Sequence, residues 1–248
     1  MAGHSKWANI KIRKGAQDAK KGKAFTRVTK EIMLAAKLGG GDITGNPRLR
    51  TALLKAREVN LPKDKIEIAI KKGTGELQAD MIEEVVYEGY GPNGVAIMIE
   101  AATDNRNRTV AEMRHILSRN GGALGESGSV GWIFSKKGVL VFPKAVGEEK
   151  LMEVGLEAGV EDVVADGDFF EVRTAPEDFY AAKQAYDSAG MQYESAQLAM
   201  LPSNSIEVDA EAARKLIKLT ELLEENDDVQ NVYTNADFSD EVMAELEA

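Results

Sequence analysis

Near residue 80 the hydrophobic period of this chain changes from helical to alternating, and no single layer of structure accommodates both. Before that point Phe25, Val28, Ile32 and Ala35 recur at helical spacing until Gly39 to Gly41 stop the run. Asn46-Pro47 starts a second helix, because proline in the first turn gives up an N–H that has no partner there anyway. Leu49, Ala52, Leu53 and Ala56 form its apolar stripe, and Ile66, Ala69 and Ile70 form a third between Leu61-Pro62 and Lys71-Lys72-Gly73. Three stripes with short connections predict a small helical bundle. The first 15 or so residues have no stripe and are expected to form a flexible arm.

After residue 80, β-type runs at Glu84 to Tyr87 and Val95 to Ala101 flank GYGPNG, and a helix is predicted from Thr109 to Arg119. Val130 to Phe134 is a further strand candidate behind the glycine-rich stretch 121 to 131. Strand 139–142, helix 148–158, strands 162–165 and 169–174 around Asp166-Gly167, helix 176–188 and strand 195–201 then follow in the order βαββαβ, the ferredoxin-like pattern. Ile206 to Val208, a helix from Ala210 to Asn226 and a strand from Val229 to Tyr233 would complete the piece begun at residue 80. The fold class is therefore α+β: an N-terminal helical bundle followed by two ferredoxin-like α/β domains, one inserted into the other. The expected boundaries are 1–76 for the helical domain, 77–136 plus 203–248 for the first α/β domain, and 137–202 for the inserted one.

Charge divides at the same place. The chain of 248 residues has a formal net charge of −10, yet residues 1 to 75 carry 18 Lys and Arg against 6 Asp and Glu. Residues 76 to 248 carry 13 against 35, so the two parts stand at +12 and −22. A basic module joined to an acidic one points to a polyanionic partner for the first, with the second repelled from it. The absence of cysteine excludes disulfides, thiolate metal sites and cysteine nucleophiles. The longest apolar run is five residues, against about 20 for a membrane-spanning helix, and the first 15 residues contain no signal-type apolar stretch.

The cations nominated for phosphate contact are Lys6, Lys11, Arg13, Lys14, Lys20, Lys21, Lys23 and Arg27, with Arg48, Arg50 and Arg106 as weaker candidates. Several such contacts would give salt-sensitive binding of weak sequence preference. Trp7 and Phe25 are candidates to stack on exposed bases. The competing reading is a solvated helix face with a tryptophan docked on the bundle. Too few large apolar groups accompany the charge for a membrane-surface helix.

DNRNRT, residues 104 to 109, places Arg106 and Arg108 at a helix N-terminus, either as a further phosphate contact or as a capping and ion-pair cluster. GYGPNG fits the dinucleotide spacing G-x-G-x-x-G, but a strand follows it and Pro92 removes an N–H, so it reads as a hairpin connection. Ser127 lacks the second glycine of a nucleophile elbow, and His4 and His115 have no orienting carboxylate in view. No cofactor, metal or small-molecule substrate is expected, and no catalytic set is visible. An enzyme with an acidic cleft between the α/β domains is the remote alternative.

The strings MAGHSKWANIK, DAKKGKAFT, KLGGGD with NPRLR, YEGYGPNGVA, TDNRNRTVAEMRH and GSVGWIFSKKG resemble the YebC/PmpR family of probable transcriptional regulatory proteins along nearly the whole chain. The resemblance implies three domains, a helical one and two α/β domains with one inserted in the other, and a cytosolic DNA-binding regulator with no established catalytic residues. Some relatives are instead tied to translation, easing synthesis of difficult stretches such as proline runs. Ribosomal RNA is therefore the alternative partner to DNA. Mitochondrial relatives carry a presequence before the GHSKW string, and this chain begins at it, so a bacterial cytoplasm is expected. Ile12 stands where the family often has histidine, and Lys21 replaces an arginine, which keeps the charge but loses the bidentate fork.

Overall fold

A computed structural model describes residues 20–79 and 81–247. The first described elements are three helices: α1 (Lys20–Gly39), α2 (Pro47–Glu58) and α3 (Lys63–Thr74). Their stripes meet in a core of Val28, Ile32, Ala35, Leu49, Ala52, Ala56, Leu61 and Ala69. Each large aliphatic side chain removed from water there contributes about 1.5–3 kcal/mol. Asn46 joins the first two helices. Its Oδ1 accepts from the Leu49 N–H at 3.0 Å, and its Nδ2 donates to the Ala35 and Gly40 carbonyls, both at 2.8 Å. One buried amide thus caps the start of α2 and the end of α1. A Cβ at Gly39 would stand 2.7 Å from the Asn46 amide, so the close approach requires glycine.

The chain then forms the hairpin β1 (Glu83–Tyr90) and β2 (Ala96–Thr103), whose antiparallel register runs from Glu83 opposite Thr103 to Tyr90 opposite Ala96. GYGPNG is its connection, with Asn93 at φ 59° and Gly94 at φ 75°. Helix α4 (Arg106–Arg119) follows, and the short β3 (Ala123–Leu124) adds to the outer edge of β1. The expectation of a helix start at Thr109 is corrected: the Asn105 side chain accepts from the Arg108 N–H and opens the helix three residues earlier.

The expected strand at Val130 to Phe134 is also corrected. Residues Gly131–Ile133 form a 3₁₀ turn, and β4 runs from Phe134 to Pro143. The Glu88 carboxylate causes this by gathering the N–H groups of Gly128, Val130 and Gly131 at 2.5–2.7 Å, which bends the backbone around it. Burial alone would raise the pKa of Glu88, but these three donors outweigh it and hold the carboxyl below its ordinary value.

β4 opens the second sheet, followed by α5 (Glu148–Gly155), β5 (Val160–Asp166), β6 (Phe169–Thr174), α6 (Phe179–Ser188) and β7 (Ser195–Pro202). The strand order is β5-β6-β4-β7 with every neighbour antiparallel, which is the ferredoxin-like arrangement. Helix α6 begins at Phe179 rather than at Pro176, and α5 gives way at Leu156 to a 3₁₀ turn.

The remaining elements are β8 (Ile206–Glu207), α7 (Ala210–Glu224), β9 (Val229–Thr234), β10 (Ala236–Asp237) and α8 (Asp240–Glu247). β9 returns to the first sheet and lies against β2, giving the order β3-β1-β2-β9, while β8 and β10 form a separate parallel pair. The segment from β4 to β7 is accordingly inserted between β3 and β9. Ile97, Ile99, Met113, Leu117, Leu216 and Phe238 are central in the first core, and Leu140, Phe142, Leu151, Val172 and Tyr186 in the second. Among the described residues no helix is long and apolar enough to cross a membrane.

Candidate nucleic-acid interface

The nominated cations divide by position. Lys6, Trp7, Lys11, Arg13 and Lys14 lie outside the described residues, as does the expected arm, and Lys20 and Lys21 open α1. Lys23, Arg27 and Lys30 are spaced by four and three residues, one stripe of α1, and this stripe meets the C-terminal end of α7. Lys23 Nζ donates to the Glu225 carbonyl at 2.9 Å and Arg27 to the Glu224 carbonyl. The last carbonyls of a helix lack partners within it and carry the negative end of its dipole. Here α1 supplies the cations that cap α7. Burial lowers the pKa of Arg27, with Glu224 and Asp227 opposing the shift.

Lys30 reaches furthest into the joint. Its Nζ donates to Asp228 Oδ1 at 2.7 Å, the Asp227 carbonyl at 2.9 Å and the Ala102 carbonyl at 3.1 Å. Asp228 is buried, and its second oxygen accepts from Arg108 and Thr109 at 2.7 Å and from Thr103 at 3.1 Å. Burial would raise the Asp228 pKa, but the bonds from Lys30, Arg108 and Thr109 outweigh it and bring the carboxyl down to about 2. Arg108 also bonds Asp104 at 2.7 Å, so DNRNRT supplies an ion-pair cluster and a helix cap. Arg106 lies 3.8 Å from Glu83 and remains 64% exposed at its side chain.

Arg48 forms a second tie. Its guanidinium bonds both oxygens of Glu31, at 2.9 and 3.1 Å, and both oxygens of Glu84, joining α1, α2 and β1. The bond to Glu84 is the main reason the Arg48 pKa rises. Arg50 donates to the Ile43 and Thr44 carbonyls at 2.9 and 2.7 Å and is exposed.

Sequence reasoning missed Lys65 and Lys72. They stand seven residues apart, two turns of α3, and are both exposed on the wall of an open cleft between the helical domain and the first α/β domain. The even spacing within a helical stripe was the available signal. Among the described residues no group of His, Asp and Glu side chains is arranged to hold a metal ion.

Comparison with known proteins adds the following. Residues 5–76 match the TACO1/YebC protein N-terminal domain, and residues 82–236 match the TACO1/YebC second and third domain. A protein of Solidesulfovibrio magneticus, named a probable transcriptional regulatory protein, is 60% identical over 98% of this chain and 99% of its own length. One of Maridesulfovibrio salexigens with the same name is 59% identical, and the match covers 100% of both chains. The crystal structure of a conserved hypothetical protein from Aquifex aeolicus superposes with a TM-score of 0.81 at 45% identity, covering 92% of this chain and 95% of that one.

Proposed function

The chain belongs to the TACO1/YebC family, and from that premise we propose that it is a regulatory nucleic-acid-binding protein whose helical domain holds the phosphate backbone. The observation that carries this reading is the reversal of charge within one chain, +12 over residues 1–75 and −22 over residues 76–248. A phosphodiester backbone presents closely spaced anions, and each lysine or arginine that neutralises one releases condensed counterions. The acidic domains then keep the rest of the surface away from the polyanion. The names of the relatives, probable transcriptional regulatory proteins, agree with DNA as the partner.

The nominated residues take different parts in this proposal. Lys6, Lys11, Arg13, Lys14, Lys20 and Lys21 contact phosphates, with Trp7 stacking on a base. Arg50 and Arg106 extend the contact. Lys23, Arg27 and Arg48, each bonded to an acceptor in another part of the protein, chiefly fix the helical domain against the first sheet. We read the protein as a binder rather than a catalyst. Asp228, whose pKa is brought down to about 2, is held ionised by Lys30 and Arg108 and is unsuited to giving up a proton near neutral pH.

The test is fluorescence anisotropy of the full chain with a duplex DNA and with a structured ribosomal RNA fragment, at low and physiological salt. Salt-sensitive binding to duplex DNA supports the proposal. Binding to the RNA alone supports the translational alternative, and binding to neither removes both.

A further inference from the structure

The cleft between α1, α3 and the start of α4 has a volume of about 660 Å³. This falls within the roughly 300–1,000 Å³ typical of sites for small ligands. Its lining is arranged by chemistry. Phe25, Met33 and Ile68 form an apolar floor, with Phe25 half-buried and Ile68 exposed. Lys65 and Lys72 stand on one rim, and the Lys65 ammonium lies over the face of the Phe25 ring, 5.8 Å from its centre, in a cation–π contact. No described carboxylate forms an ion pair with either lysine. The opposite rim carries Asp104 and Asp227. Asp104 is paired with Arg108, whereas Asp227 gives its backbone carbonyl to Lys30, has a longer-range charge attraction to Arg27 and remains exposed.

A ligand matching this layout has a flat apolar body, an anionic group at one end and N–H donors at the other. A nucleotide has all three: a base with an aromatic face, N–H groups on its pairing edge, and a phosphate. We propose that the cleft receives one unpaired nucleotide of the bound strand. The base displaces the Lys65 ammonium from the face of Phe25 and lies on Phe25 and Ile68, the phosphate meets the displaced Lys65 and Lys72, and the pairing edge donates to Asp227. Guanine fits best, because its N1–H and N2–H groups are adjacent and match the two oxygens of one carboxylate. This inference rests on the nucleic-acid reading above, and it names the unit of the polymer that is recognised.

The experiment uses the full chain and three labelled duplexes: fully paired, with one extrahelical guanosine, and with one extrahelical uridine, each as DNA and as RNA. The guanosine bulge should bind about tenfold more tightly than the paired duplex, the scale expected for one stacked base. Asp227→Asn should remove the guanosine preference over uridine while leaving affinity for the paired duplex within twofold. Lys65→Ala combined with Lys72→Ala, both at exposed positions, should weaken bulge binding more than paired binding. Equal affinity of the wild-type chain for paired and bulged duplexes would overturn this proposal and leave the nucleic-acid reading in place. Binding to none of the three would remove both.

Discussion

Lys30 and Asp228, 198 residues apart in the chain, meet at 2.7 Å across the joint between the helical domain and the first sheet. Both are largely shielded from solvent, and among the described residues the other bonds to the Asp228 carboxylate come from Arg108, Thr103 and Thr109. Removing the charge while keeping the shape isolates what the pair does. Asp228→Asn should cost about 2 kcal/mol, since hydrogen bonds to charged groups contribute roughly 1.5–3 kcal/mol and a buried cation loses its partner. For a chain of this size the melting temperature should fall by about 4–8 °C, measured by calorimetry. An unchanged melting temperature would show that the joint does not depend on this carboxylate.

The same carboxylate sets a dependence on pH. Its folded pKa, about 2, lies below the ordinary aspartate value of 3.8, so the ionised form favours the folded state. The stabilisation is complete above the unfolded value and is lost as pH falls from about 4 toward 2. Urea midpoints measured across that window should fall less steeply for Asp228→Asn than for the wild-type chain. Parallel curves would exclude Asp228 as a source of acid sensitivity.

Arg48 separates a structural cation from a phosphate-binding one. It forks onto Glu31 and Glu84 at once, a geometry that lysine cannot reproduce. Arg48→Lys should lower stability by about 1 kcal/mol, in the range of exposed to half-exposed ion pairs. Its affinity for duplex DNA should stay within twofold of the wild-type value in the same buffer. A much larger loss of affinity with no loss of stability would make Arg48 a phosphate ligand.

Asn46 offers a third check, within the bundle. Replacing it by alanine removes the acceptor that caps α2 and leaves the Ala35 and Gly40 carbonyls without their donor. Loss of an N-cap alone costs about 0.5–2 kcal/mol, and loss of the donor to the buried Ala35 carbonyl adds to it. Asn46→Asp keeps the cap but sets a buried carboxylate oxygen against the Ala35 and Gly40 carbonyls, so its cost should exceed that of Asn46→Ala. The ordering, read from chemical denaturation, is the test.

Much of the architecture was legible because local chemistry and global fold agree. Gly39 to Gly41 stop α1, Asn46-Pro47 starts α2, and Asp166-Gly167 turns β5 into β6, each for a reason contained in a few residues. The misplaced elements are those governed from a distance. The strand expected at Val130 to Phe134 became a 3₁₀ turn because Glu88, about 40 residues earlier, takes up its N–H groups. The helix expected at Thr109 starts earlier because Asn105 caps it, a role that a stripe of apolar residues does not reveal. The site was less legible still. Basic residues announce a polyanion, but nothing local indicates that Lys23, Arg27 and Lys30 face the end of α7, since that contact spans about 200 residues.

The most direct measurement of the central claim is the salt dependence of duplex DNA binding by the full chain. The logarithm of the association constant should fall linearly with the logarithm of salt concentration, by about 0.9 for each phosphate neutralised. Replacing Lys6, Lys11, Arg13 and Lys14 by glutamine should flatten that slope by about 3.6, four such contacts. A slope near zero in the wild-type chain, or one that the four substitutions leave unchanged, would contradict a phosphate backbone held by the front of this protein.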